Sequence, residues 1–76
     1  MNLGLPILTD GVHLVCADLF TLHAFADRMG LRRAWFQPGR HPHYDLTTRT
    51  AAFRACENGA LLGDCRQVEI VARSAR

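Results

Sequence analysis

Lysine is missing from these 76 residues altogether, and all nine basic residues are arginine. Against seven acidic residues they leave a net charge of only +2. So small an excess gives no electrostatic case for strong, nonspecific nucleic-acid binding, which needs many uncompensated cations on phosphates. Cysteine is scarce: Cys16, Cys56 and Cys65 are odd in number and form no Cys-x-x-Cys pair. That pattern excludes a disulfide framework and a zinc knuckle, and buried, reduced thiols are expected. No apolar run approaches the ~20 residues of a membrane-spanning helix. Met1 to Asp10 lacks the basic start and long apolar stretch of a signal peptide, so a cytoplasmic location with no membrane contact is expected. Gly-x-Ser-x-Gly, His-Glu-x-x-His and Gly-rich phosphate-loop patterns are all absent, and the enzyme classes they mark are excluded with them.

What is present fits one globular domain over residues 1–76, with 49% hydrophobic and 21% charged residues. A chain this short buries only roughly 60–65% of the surface it exposes when unfolded. Small scaffolds of this kind commonly lean on a metal, disulfides or a partner surface.

Ile7 to Thr9 is a short apolar stretch closed by the turn signal Asp10-Gly11. Val12 to Ala17 reads as a buried strand with His13 set inside it. Asp18 stands where a helix N-cap belongs. In the helix that follows, Leu19 to Met29, the residues Leu19, Leu22, Ala26 and Met29 recur on one face and Phe25 widens the stripe. Gly30 suits the position after that helix, and His23 borders its apolar face. Arg33 to Gln37 reads as a strand and Pro38-Gly39 as a turn. In a strand Trp35 and Phe36 face opposite sides, one packed and one a candidate contact residue.

Pro42 pushes His41 out of the helical region, so an extended run begins there and continues from His43 to Thr47. Thr47 or Thr48 can cap a second helix, Thr48 to Glu57, with Ala52, Phe53 and Cys56 inward and Asn58-Gly59 closing it. Near the C-terminus Asp64 and Gln67 have capping-box spacing, and Cys65, Val68 and Val71 share a helical face. Val68, Ile70 and Ala72 also alternate as a strand would, and a short helix is the favoured reading. The expected fold is a small α+β domain, in the broad sense α/β: a short β-sheet packed by two main helices in the order β-β-α-β-β-α, plus a short C-terminal element.

Chemistry concentrates at His41-Pro42-His43-Tyr44-Asp45. In an extended chain His43 and Asp45 project from the same face, roughly 6–7 Å apart at Cα. Imidazole and carboxylate at that spacing can share a metal, or the carboxylate can orient a general base. His13 and His23 could complete a set of His13, His23, His43 and Asp45 suited to Zn²⁺ or another divalent metal. The competing readings are structural: His13 as a hydrogen-bonded core histidine, Asp45 as a turn or capping residue, Tyr44 as a packed ring with a wet hydroxyl. Arg28, Arg32, Arg33 and Arg40 lie close together in sequence, either as a solvated face or as forked contacts to carboxylate or phosphate.

His13, Leu22 to Ala26, Gly30 to Gln37, His43 to Leu46 and Gly59-Ala60 together resemble an uncharacterised bacterial and phage family, domain of unknown function 4031. The family's strand with a His, its L-H-A-F-A helix, its G-L-R-R-x-W-F-Q and H-Y-D-L stretches and its Gly-Ala all have counterparts here, over about two thirds of the chain. The resemblance implies the fold and supplies no activity. Three features depart from the family pattern. The region before His13 is shortened to Ile7 to Gly11, Phe20 and Thr21 replace an acidic pair, and Ala17 replaces an Asp. Because the matching residues include His13, His23, Trp35, Gln37, His43, Tyr44 and Asp45, they are expected to line one shared pocket or face.

The leading functional expectation is a stand-alone binding or regulatory module, phage- or mobile-element-encoded, acting by protein–protein contact, for example by inhibiting a host system. Its surface would be Trp35, Gln37, Tyr44, Arg28, Arg32, Arg33 and Arg40, and a homo-oligomer is compatible with it. The argument is size, since 76 residues leave little to support a catalytic shell. The alternative is a small metal-dependent hydrolase or nuclease using the His/Asp cluster, with Arg32 or Arg33 on a substrate phosphate. A second alternative is a nucleic-acid-binding module with Trp35 stacked on a base.

Overall fold

Side chains alternate along His13-Leu14-Val15-Cys16, and that alternation sets the layers of the molecule. The computed structural model describes residues 5–76, so residues 1–4 of the expected domain and N-terminal segment lie outside the described residues. Strand β1 (Ile7–Thr9) turns at Asp10-Gly11 into β2 (His13–Cys16) and pairs with it antiparallel. Leu14 and Cys16 point to one face and join a core with Ile7, Leu22, Phe25, Ala26, Tyr44 and Leu46. Val15 points to the other face and packs with Val68 and Ala72.

The first face is covered by two helices. Helix α1 (Leu19–Arg28) starts where Asp18 accepts from Thr21 N–H, as expected of an N-cap. It stops before Gly30, whose φ of +79° is open to a residue without Cβ. Helix α2 (Arg49–Glu57) is capped by Thr48. Its inward residues are Ala51, Ala52 and Ala55. Phe53 and Cys56, expected inward, are exposed, because the sheet-facing side of the helix falls on positions i, i+1 and i+4 from Ala51. Helix α3 (Cys65–Arg73) covers the second face and carries the expected capping box between Asp64 and Gln67. Beyond it the chain returns, and the backbone of Arg76 bonds Ala17 and Leu19.

Between these helices, β3 (Phe36–Gln37) and β4 (His43–Asp45) form a hairpin, and β5 (Leu61–Leu62) adds a parallel edge strand that the sequence pattern did not announce. The five-stranded mixed sheet has the order β3-β4-β2-β1-β5. Three helices and this sheet make a small α+β fold, β-β-α-β-β-α followed by β5 and a C-terminal helix. The expected strand Arg33 to Gln37 is shorter than read. Arg33–Trp35 forms a 3₁₀ turn in which Trp35 N–H bonds Arg32 C=O, so its backbone is satisfied locally instead of on β4. Of the three cysteines, Cys16 is buried while Cys56 and Cys65 are exposed. Burial pushes the Cys16 thiol pKa up and keeps it inert. Among the described residues no helix is long and apolar enough to cross a membrane.

Candidate metal centre

Antiparallel pairing of β2 with β4 places His13 opposite Asp45. His43, two residues before Asp45 on the same strand, projects from the same face. The register therefore gathers His13, His43 and Asp45 on the α3 side of the sheet, where one ligand atom from each lies within 4.8 Å of the others. The two imidazoles meet edge to face with centroids 5.0 Å apart.

Hydrogen bonds assign the ring nitrogens. His43 Nδ1 lies 2.7 Å from the carbonyl oxygen of His41, which can only accept, so Nδ1 carries a proton and donates it. Its Nε2 lies 3.1 Å from Asp45 Oδ1. Without a positive charge between them, that contact sets a nitrogen lone pair against a carboxylate. A second ring proton or a metal cation resolves it. On β2, His13 Nδ1 donates to Asp10 Oδ2 at 3.0 Å, which leaves Nε2 as the free donor atom. Asp10 also accepts backbone N–H bonds from Val12 and His13. Burial pushes its carboxyl pKa up, but the bonds from the His13 side chain and from these backbone groups outweigh burial and hold it below the usual range. Both imidazoles thus have Nδ1–H anchored on oxygen and Nε2 facing the cluster, the arrangement by which metal-binding histidines are oriented.

Beside the cluster opens a cavity of about 270 Å³ floored by Val15, Val68 and Ala72 and edged by Asp10, His41, Cys65 and Glu69. His41 Nε2 is buried there without a hydrogen-bond partner among the described residues. Glu69 Oε1 stands 3.9 Å away, too far for a direct bond. An orphaned nitrogen on a cavity wall calls for a water or a ligand atom.

The residues singled out in the sequence do not share one face. Tyr44 alternates to the α1 side, where it is 1% exposed, so the expectation of a contact surface that includes its ring is corrected. His23, expected among the metal ligands, lies with Tyr44: its Nδ1 is 2.7 Å from the Tyr44 hydroxyl, across the sheet from the cluster. Trp35, Gln37, Arg28, Arg32, Arg33 and Arg40 are exposed, and Phe36 packs against the core, with its ring 5.3 Å from Tyr44 and 4.6 Å from His23. Asp45 does not cap α2, because Thr48 does. Sequence reasoning missed Asp10 and Glu69 and named His41 only as part of the polar stretch, with no role in a site. Asp10 was read only as a turn residue, although Asp three positions before a histidine can bond both its N–H and its ring. Glu69 gave no signal, since only the packing of α3 brings it to the cavity.

A family model described as "Protein of unknown function (DUF4031)" matches residues 10–75. Neither a curated protein nor a solved structure matches the chain.

Proposed function

The chain belongs to the DUF4031 family of proteins of unknown function, and from the geometry of this member we propose a small metal-dependent hydrolase. One divalent transition metal, zinc first, would bind His13 Nε2, His43 Nε2 and the Asp45 carboxylate. The carrying observation is the His43–Asp45 contact of 3.1 Å, which joins a nitrogen already committed as acceptor to a carboxylate and is relieved by a cation. Two imidazoles and one carboxylate suit zinc, with coordination positions left for water and substrate. The ligand atoms span 4.8 Å at most, so small side-chain rotations bring all three onto one ion.

A metal held there would acidify a water and polarise a carbonyl or phosphoryl oxygen, while His41 or Glu69, across the cavity, would be placed to take up a proton and to return it to a leaving group. A cavity of about 270 Å³ fits a small substrate.

The test is zinc content and calorimetric zinc binding of purified protein, followed by a screen of small esters and phosphoesters. We expect about one zinc per chain, with hydrolysis lost on chelation and restored by metal. Zinc binding that survives His43→Ala unchanged sinks the centre, and a zinc-loaded protein inert to every ester class sinks the hydrolase.

A second reading is the binding module acting by protein contact. It is supported by the exposure of Trp35, Gln37, Arg28, Arg32, Arg33 and Arg40 along a single stretch. Under it Trp35→Ala abolishes partner capture while zinc uptake stays as it was, and the opposite pattern favours the hydrolase.

A further inference from the structure

The α1 side of the sheet holds polar groups that the metal centre leaves unused. The Tyr44 hydroxyl lies 2.7 Å from His23 Nδ1 and has no other partner among the described residues. Among the described residues the phenol proton has no other acceptor, so O–H is assigned as the donor to Nδ1 and His23 as the tautomer with a proton on Nε2. That Nε2 bonds nothing among the described residues and is not a sealed, unsatisfied atom. Burial, with Arg33 nearby, holds the imidazole below its ordinary range, so the ring is neutral and Nε2–H is its outward face.

His23 lines a cavity of about 340 Å³, roughly the lower size of a small-molecule site. Phe20, 70% exposed, and Leu31 supply apolar walls. Arg33 is the one cation of the lining and Asp27 its one anion, and neither is ion-paired among the described residues. A phenylalanine left this open beside an unpaired guanidinium and a free imidazole N–H is not explained by packing. Forked guanidinium donors suit a carboxylate, and the carboxylate of Asp27 disfavours a dianion in the same space.

We infer that this cavity is a second ligand site, separate from the metal centre, for a small organic monoanion. Its carboxylate accepts from Arg33 and from His23 Nε2–H, and its flat apolar body lies against Phe20 and Leu31. Two features of the fold keep the sites independent: they open on opposite faces of the sheet, and no ligand of the metal centre lines this cavity.

The test is a titration of ¹⁵N-labelled, chelator-treated protein with benzoate, and in parallel with phenyl phosphate and benzylamine, read by amide and imidazole shifts. Benzoate should saturate with shifts at Phe20, Ala24, Leu31 and the His23 ring. Arg33→Gln, a change at an exposed position, should weaken it about tenfold, as for loss of one charge-assisted bond. His23→Phe should weaken it further while zinc uptake stays normal. Non-saturating or scattered shifts overturn the inference, as does full benzoate affinity in Arg33→Gln. Benzylamine binding more tightly than benzoate overturns it too, because Asp27 and not Arg33 would then select the ligand.

Discussion

Tyr44 and its neighbours His43 and Asp45 are adjacent in β4 and live in opposite worlds. Tyr44 faces α1 and is sealed among Leu14, Leu22 and Phe25 in the larger core. His43 and Asp45 face α3, where the buried core among the described residues is Val15, Val68 and Ala72, with Leu8 and Val71 packed against it, and a cavity opens beside them. The difference is a division of labour. The α1 face carries most of the buried apolar surface and so most of the hydrophobic stabilisation. The α3 face carries the smaller core, and the cavity beside its oriented imidazoles gives a reactive site its room.

That division is broken most directly by paired truncations in β2. Leu14→Ala empties the larger core and should cost about 2–5 kcal/mol, as buried leucines do. At roughly 4–8 °C per kcal/mol for a domain this small, it should leave the chain largely unfolded at 37 °C. Val15→Ala borders a cavity that already exists and should cost about half as much, with zinc uptake retained. Thermal unfolding followed by circular dichroism decides it. Equal losses would mean that the two faces share the stability evenly.

The next largest effect separates the faces by chemistry. Asp10→Asn keeps an oxygen for the Val12 and His13 amides but weakens the anchor on His13 Nδ1. Zinc affinity should fall about 10–100-fold, the usual consequence of losing an outer partner of a ligating histidine. Tyr44→Phe, one residue from two of the ligands but on the far face, should leave zinc affinity within about twofold, below the effect of any outer partner. Competition against a chromophoric chelator measures both, and a large loss in Tyr44→Phe would show that the two faces of β4 are coupled.

Local rules made much of this legible. Period-two alternation put His43 and Asp45 on one face, and the caps at Asp18, Thr48 and Asp64 were readable because a side-chain oxygen at an N-cap serves the next turn. The helix boundary at Gly30 followed from its backbone freedom. What escaped depended on distance in sequence. Only the register His13↔Asp45 decides that His13 joins the cluster, and the same alternation, applied to Tyr44, sends His23 away from it. Phe53, expected inward, is exposed because α2 lies against the sheet on alanines. Strand β5 escaped because its two leucines are exposed and carry no alternation to read.

The smallest expected effect is a difference in the acid range over which each face loses stability. His23, on the α1 face, titrates below its ordinary 6.5 because of burial and Arg33. Between its folded value and 6.5 the unfolded chain binds a proton that the native chain does not. Its contribution is therefore neutral above 6.5, and stability erodes as pH falls through that window. Asp10, on the α3 face, is held below 3.8 despite its burial, so it stabilises the fold above 3.8 and that benefit is lost only as pH falls through its lower folded value. Urea midpoints of metal-free protein should therefore decline in two stages, one beginning near 6.5 and one below 3.8. His23→Gln should remove the first stage alone, and Asp10→Asn should blunt the second alone. If His23→Gln leaves the first stage intact, the neutral ring assigned to the α1 cavity is wrong.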